Sequence, residues 1–227
     1  MKAIVVGALA VGCGSVQDRP IDAAPGDGGS IDAAIDAAGI DAAVDAAVDA
    51  ADLSPHLVFV TSSVHPCALG GVTGADSICQ ALAMAASLPG TYKAWLADAT
   101  GSPATRMTRH LGPYQLVTTA VVAQGWDDLT DGGLASKIDR TEQGVQVDGP
   151  GCDVSRPTCH FICEGGEVWS NVSRSGGRRM GGVDDCTGWT AAGLGTAGNV
   201  GKVDATWTEG TCTHIGSGEL PIFCVQQ

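Results

Sequence analysis

From His56 onward, hydrophobic positions fall in short runs whose period changes several times along the chain. "HLVFVTSS" (56–63) is rich in β-branched and aromatic residues and ends in turn-formers, which predicts a strand. "TGADSICQALAMAASLPGTY" then takes a helical period. Ala75, Ile78, Leu82 and Ala85 recur on one face, Thr73 and Asp76 fit a capping-box-like start, and Pro89-Gly90 ends the run. "TYKAWLA" (91–97), "YQLVTTAVVA" (114–123), "EVWSNVS" (167–173) and "ELPIFCVQQ" (219–227) predict further strands, separated by Gly-rich loops with scattered Trp. One helix among short strands and long loops predicts an α+β domain over residues 56–227.

The first 55 residues follow other patterns. "MKAIVVGALAVGCGS" has one basic residue, an apolar run over 3–12 and then Cys13. Such a run is too short for a bilayer core about 30 Å thick and fits an export leader. "LAVGC" resembles the lipobox of bacterial lipoproteins, with Ala10 where Leu is usual. The resemblance implies that residues 1–12 are removed and that acylated Cys13 inserts in a lipid bilayer. Gly14 and Ser15 behind it imply the outer membrane and cell surface. Residues 13–55 then read as a tether. An apolar-Asp-Ala-Ala unit recurs with Asp32, Asp36, Asp41, Asp45 and Asp49 four or five apart. Like charges at this spacing oppose a helix, so the segment reads as a solvated spacer spanning about 35 Å.

Charge and cysteines narrow the classes. Net charge is −13, and Val16 to Pro55 alone holds nine Asp against one Arg. Nucleic-acid binding needs a basic stripe that displaces counterions, so a nucleic-acid partner is excluded. Of nine cysteines, Cys13 stands alone and eight lie between Cys67 and Cys224. An even set within one Gly-rich domain predicts disulfides and an oxidising compartment. Cys152, Cys159, His160 and Cys163 could be read as a zinc set, but thiolates in that compartment end as disulfides.

A more specific likeness rests on "FVTSSVHPCALGGVTGADSICQALAMAASLPGTYKAWLADATGSPATRM", "YQLV…VVAQGWDDLTDGGL", "VWSNV", "CTGW" and "WTEGTC…IFCVQQ", in that order. They resemble a bacterial family of exported proteins that includes the leptospiral endostatin-like outer-membrane proteins. "GGVTGADSICQALA" and "KAWLAD" carry most of the likeness. The chain departs from it between Val147 and Glu167, where Cys152, Cys159 and Cys163 are additional. The resemblance implies a C-type-lectin-like (endostatin-like) fold, a Cys79–Cys224 bridge and an inner Cys186–Cys212 bridge. Cys67, Cys152, Cys159 and Cys163 would then pair in one of three ways.

Candidate sites follow from this frame. "WTEGTC" (207–212) matches the W-x-(acid)-x-x-C stretch of calcium-dependent lectins, placing Glu209 at the acid position with Thr208 where Asn is usual. Asp184, Asp185, Asn199 and Asp204 are the oxygen donors that could complete a Ca2+ set of six to eight ligands. The competing reading puts Trp207 in the core and leaves Glu209 solvated, with no cofactor. "SRSGGRRMGG" (173–182) gathers Arg174, Arg178 and Arg179 on a Gly-flanked loop suited to an anionic partner. Trp126, Trp169, Trp189 and Trp207 read as core rather than as a sugar platform. Motifs for acyl transfer, zinc hydrolysis or phosphate binding do not occur, so the chain reads as non-catalytic. The expected role is binding or adhesion to extracellular proteins or envelope components. A calcium-dependent carbohydrate-binding lectin and a structural envelope lipoprotein are the alternatives.

Overall fold

A computed structural model describes residues 52–147, 166–181, 184–210, 213–215 and 218–227. The expected leader over residues 1–12, Cys13, the Asp/Ala-rich segment up to residue 51, and Cys152, Cys159, Cys163 and Cys212 lie outside the described residues. In chain order the elements are β1 (His56–Val60), β2 (His65–Pro66), α1 (Gly71–Ala85), β3 (Tyr92–Ala94), α2 (Pro103–Arg106), β4 (Tyr114–Leu116) and β5 (Val121–Ala123). There follow α3 (Trp126–Leu129), β6 (Glu167–Trp169), α4 (Cys186–Trp189), β7 (Leu194–Asn199), a 3-10 turn (Ala205–Trp207), β8 (Thr213–Ile215), β9 (Glu219–Leu220) and β10 (Phe223–Gln226). The mixed α+β class is as the sequence predicts. Among the described residues no helix is long and apolar enough to cross a membrane.

The main sheet runs β3-β10-β1-β4-β5, so the last strand sits between the first and third. β10 is antiparallel to both neighbours, with Val58 opposite Val225 and Cys224 opposite Ala94. β4 joins β1 in parallel, His56 opposite Tyr114. Both faces of this sheet are covered, which is why "LVFV" is continuously apolar instead of alternating. Val58 and Val60 face a core with Trp95, Trp126, Trp207, Phe223 and Val225. Phe59 faces a second core with Tyr92, Cys224, Trp169, Trp189, Ile222 and the helix. All five Trp are buried. Two smaller sheets, β6-β7-β8 and β2-β9, carry the loops.

The helix begins differently from its expected cap. It starts after Gly70, which takes a left-handed φ of 80°, and no side chain caps it. A Cβ on Gly74 would lie 2.1 Å from the Leu69 carbonyl oxygen, so only glycine lets the chain turn in so closely. Asp76 instead crosslinks helix to sheet. Its Oδ1 accepts from the Ala94 amide at 2.8 Å, and its two oxygens take Arg106 Nη1 at 2.9 and 2.8 Å. The buried stripe is Ala75, Cys79 and Ala83, with Ile78 and Leu82 beside it and Ala85 exposed. Small residues at i, i+4 and i+8 bring the helix axis close to β3 and β10, within disulfide reach of Cys224. The stretch 114–123 is not one strand but a hairpin, because Thr119 turns at φ 71° and its amide donates back to Leu116 O at 2.8 Å.

Two disulfides are formed among the described residues. Cys79–Cys224, with Cα atoms 5.5 Å apart, is the pair the resemblance implies. The second corrects it: Cys186 joins Cys67, Cα atoms 5.9 Å apart, in place of Cys212. The reason lies in the packing around β7. A side chain on Gly195 would sit 2.6 Å from the Trp169 ring and under 3 Å from both Cys67 and Cys186 sulfurs, so its absence makes the slot that the bridge fills. Each bridge closes more than 100 residues, which in the chain-entropy limit contributes about 5 kcal/mol. A non-reducing proteolytic map is therefore expected to yield linked peptides containing Cys67 with Cys186 and Cys79 with Cys224. A peptide linking Cys186 to Cys212 would overturn this arrangement.

Candidate functional site

The loops between β6 and β10 form a layer tied to the sheet in part through one short segment, Trp95–Ala97. The Ala97 carbonyl accepts from Trp189 Nε1 at 3.0 Å and Asn171 Nδ2 at 3.3 Å, and its amide donates to Ser170 O at 3.3 Å. Trp95 Nε1 donates to Thr208 Oγ1 at 2.7 Å, and Ser170 Oγ donates to Thr208 O at 2.8 Å. Every member of this network is buried, where an unmade hydrogen bond costs about 1–3 kcal/mol. Thr208, where a lectin would place Asn, is thus committed to holding layers together.

On this layer the sequence-predicted residues come close to one another, mostly as partners. Arg178 Nη2 donates to Asp185 Oδ2 at 2.8 Å, and Asp185 Oδ1 accepts from Gly188 N at 3.0 Å. Arg179 Nη1 donates to Gly210 O at 2.7 Å. The Arg174 amide donates to Glu209 Oε2 at 3.1 Å, and its guanidinium lies 3.7 Å from the same oxygen. The acid of "WTEGTC" therefore faces the arginine loop. Asp204 caps the 3-10 turn, accepting from Thr206 N at 3.0 Å and from the Thr206 hydroxyl. Those bonds hold its carboxyl below the usual range. Asn199 Oδ1 accepts from Gly201 N at 2.7 Å. Asp184 acts through its backbone carbonyl, which accepts from Thr196 N at 2.8 Å. Trp207 is buried in the core.

The backbone beneath these contacts is unusual. Cys186, Thr187, Gly188 and Trp189 all have φ between 51° and 66°, so α4 is a left-handed turn. L-residues pay roughly 1–2 kcal/mol each for that conformation, and three of these four are not glycine. Cys67 holds the first, Asp185 caps the turn, and buried Trp189 closes it. The arginine loop is fixed too. Gly176 (φ 75°) packs against Trp126 and Thr130, and its carbonyl accepts from Ala104 N at 2.9 Å. Arg178 and Arg179 are drawn inward, leaving Arg174 at 65% exposure and Met180 at 94%.

Two further groupings were not singled out from sequence. Ser63 Oγ lies 2.9 Å from His65 Nε2, and burial pushes His65 down while Glu219 partly offsets that. The second grouping is Asp52, His56 and His110, whose ligand atoms all lie within 4.8 Å of one another. It is the one group of three or more His, Cys, Asp or Glu in ligand reach among the described residues. Neither Glu209 nor Asp204 belongs to it.

Compared with models of known protein families and with curated proteins, the chain matches none. The Asp185 and Glu209 pairs differ in burial and so in expected energy. Removing one partner of a buried pair costs about 3–5 kcal/mol; with Arg178 one-third exposed, Asp185→Ala is expected to cost about 2–3 kcal/mol in urea unfolding. Glu209→Gln, at a pair open to solvent, is expected to change stability by less than about 1 kcal/mol.

Proposed function

We propose that the chain is a non-catalytic surface-display protein whose folded domain binds an extracellular protein through the loop layer. In this reading Cys13 is acylated and holds the chain on the outer membrane, and residues 14–55 are its tether. The domain takes a C-type-lectin-like arrangement. Support for the arrangement is the pairing of the first strand with the last and the disulfide from the helix to the last strand.

The observation that carries the binding reading is the Arg174–Met180 turn. Two of its arginines are spent holding it in place, and what projects is one guanidinium and one thioether on a pre-organised backbone. Pre-organisation lowers the ordering cost of association, and Arg and Met are enriched where proteins meet. A protein partner is favoured over a glycan because every Trp is buried. Sugar recognition draws on exposed aromatic faces, and the exposed large apolar side chains described here are aliphatic or Met. The calcium-lectin alternative is weakened by the partners of Glu209, Asp204 and Thr208. The structural-envelope alternative has no specific observation in its favour.

The test is solid-phase binding to a panel of extracellular proteins and to a glycan array, with calcium or with chelator, comparing wild type with Arg174→Glu/Met180→Glu. The expected result is saturable, calcium-independent binding to a protein that the double variant weakens at least tenfold with an unchanged melting temperature. Calcium-dependent glycan binding, or protein binding that the variant leaves intact, would contradict the proposal.

A further inference from the structure

The junction where the acidic segment enters the domain holds a side-chain cluster that none of the binding argument uses. His56 opens β1, its amide donating to Pro113 O at 2.8 Å, and its parallel pairing with Tyr114 brings the 110–113 loop alongside. Gly112 lies so close beneath residues 53–54 that a Cβ there would be 2.2 Å from Ser54 O. His110 is fixed by its carbonyl, which accepts from Trp126 N at 2.9 Å, and by its amide, which donates to Tyr114 Oη at 3.4 Å. The two imidazoles stack with centroids 3.4 Å apart and planes 22° off parallel. Asp52 reaches over them from the rim. Its Oδ1 is held by Ser54 N at 2.9 Å and Ser54 Oγ at 2.5 Å, which leaves Oδ2 for another contact.

A second observation points to a ligand. His56 is 5% exposed, yet its Nδ1 has no hydrogen-bond partner; His110 Nε2 is likewise buried without one. Stacked rings cannot satisfy each other, because their lone pairs and N–H bonds lie in the ring planes. Two orphaned imidazole nitrogens beside a carboxylate are expensive unless something sits among them. Water could serve one nitrogen, but a set of two imidazoles and one carboxylate is a transition-metal donor set. Tetrahedral ligands about 2.0–2.1 Å from zinc lie roughly 3.4 Å from one another; the ligand atoms of Asp52, His56 and His110 already lie within 4.8 Å of one another, so modest side-chain rotation closes the set. Calcium and magnesium prefer all-oxygen shells, so this donor set selects against them.

We infer that Asp52, His56 and His110 form a binding site for a zinc-class divalent ion, with the fourth position open to water or an external ligand. The ion clips residues 52–55 onto the 110–113 loop and so fixes the entry of the chain into the domain. This site uses no residue of the loop layer and stands or falls separately from partner binding.

The test is titration of the full chain, oxidised, thiol-blocked and freed of metal by chelation, with Zn2+, followed by calorimetry and by melting temperature. Binding of Zn2+ that His110→Ala and Asp52→Asn each weaken at least tenfold is expected, while the control His65→Ala leaves it unchanged. The melting temperature should rise with Zn2+ and stay put with Ca2+ or Mg2+. His56→Gln is a further variant, but the core position of His56 makes the two rim variants decisive. Absence of Zn2+ binding, or binding that neither rim variant alters, would overturn the inference.

Discussion

The Ala97 carbonyl is the contact on which the rest of the domain depends. It accepts from an indole in the left-handed turn and from the Asn171 amide, while the same residue's amide donates to Ser170. With the Trp95–Thr208 bond beside it, it joins a five-stranded sheet to a loop layer that has little regular structure of its own. Loops so poor in backbone ladders need their polar groups satisfied somewhere. Here the indole nitrogens of Trp95 and Trp189 do that from inside the core, each combining a large apolar surface with one directed donor. Trp207 is the exception, buried with Nε1 unpartnered, and it contributes through its packing on Trp95 and Phe223.

This seam explains why the arginine loop is a platform and not a flexible cationic arm. Asn171 donates to Ala97 from its side chain and accepts the Arg179 amide at its carbonyl. Asp185 stands at the base of the turn whose Trp189 reaches the same Ala97 oxygen. The loop's position is thereby referred to the sheet through two routes that meet at the Ala97 oxygen. The disulfide from Cys67 to Cys186 adds a third, entering from the other core. Side chains left over at the surface are then displayed in one geometry, which is the physical content of the binding proposal.

Much of the scaffold was legible in the sequence, and the exceptions have physical causes. β1 and β10 were readable because a strand buried on both faces is a continuous apolar run. The hairpin within 114–123 was not, because Thr-Thr gives no turn signal of the kind Asn-Gly would. Asp76 looked like part of a cap because its position fits one; the guanidinium of Arg106, thirty residues on, outcompeted that local role. Cys186 was assigned to Cys212 by resemblance, whereas the partner was chosen by the space that Gly195 leaves at β7. At the candidate sites, "SRSGGRRMGG" was legible as a cationic loop, but its pairing with Asp185, Glu209 and Gly210 required the fold. His56 and His110 carried no sequence signal at all. They meet only because β4 pairs with β1 in parallel, a relation no local pattern encodes.

The central claim is that the loop layer and the sheet form one cooperative unit across the Ala97 seam. Native-state hydrogen exchange measures it directly, by comparing the amides of Ser170, Trp189 and Trp207 with those of Val60 and Trp95 in the sheet as denaturant is raised. The account predicts that the loop-layer amides converge on the same opening free energy as the sheet amides. Loop-layer amides that exchange through a separate opening, several kcal/mol below that of the sheet, would contradict it.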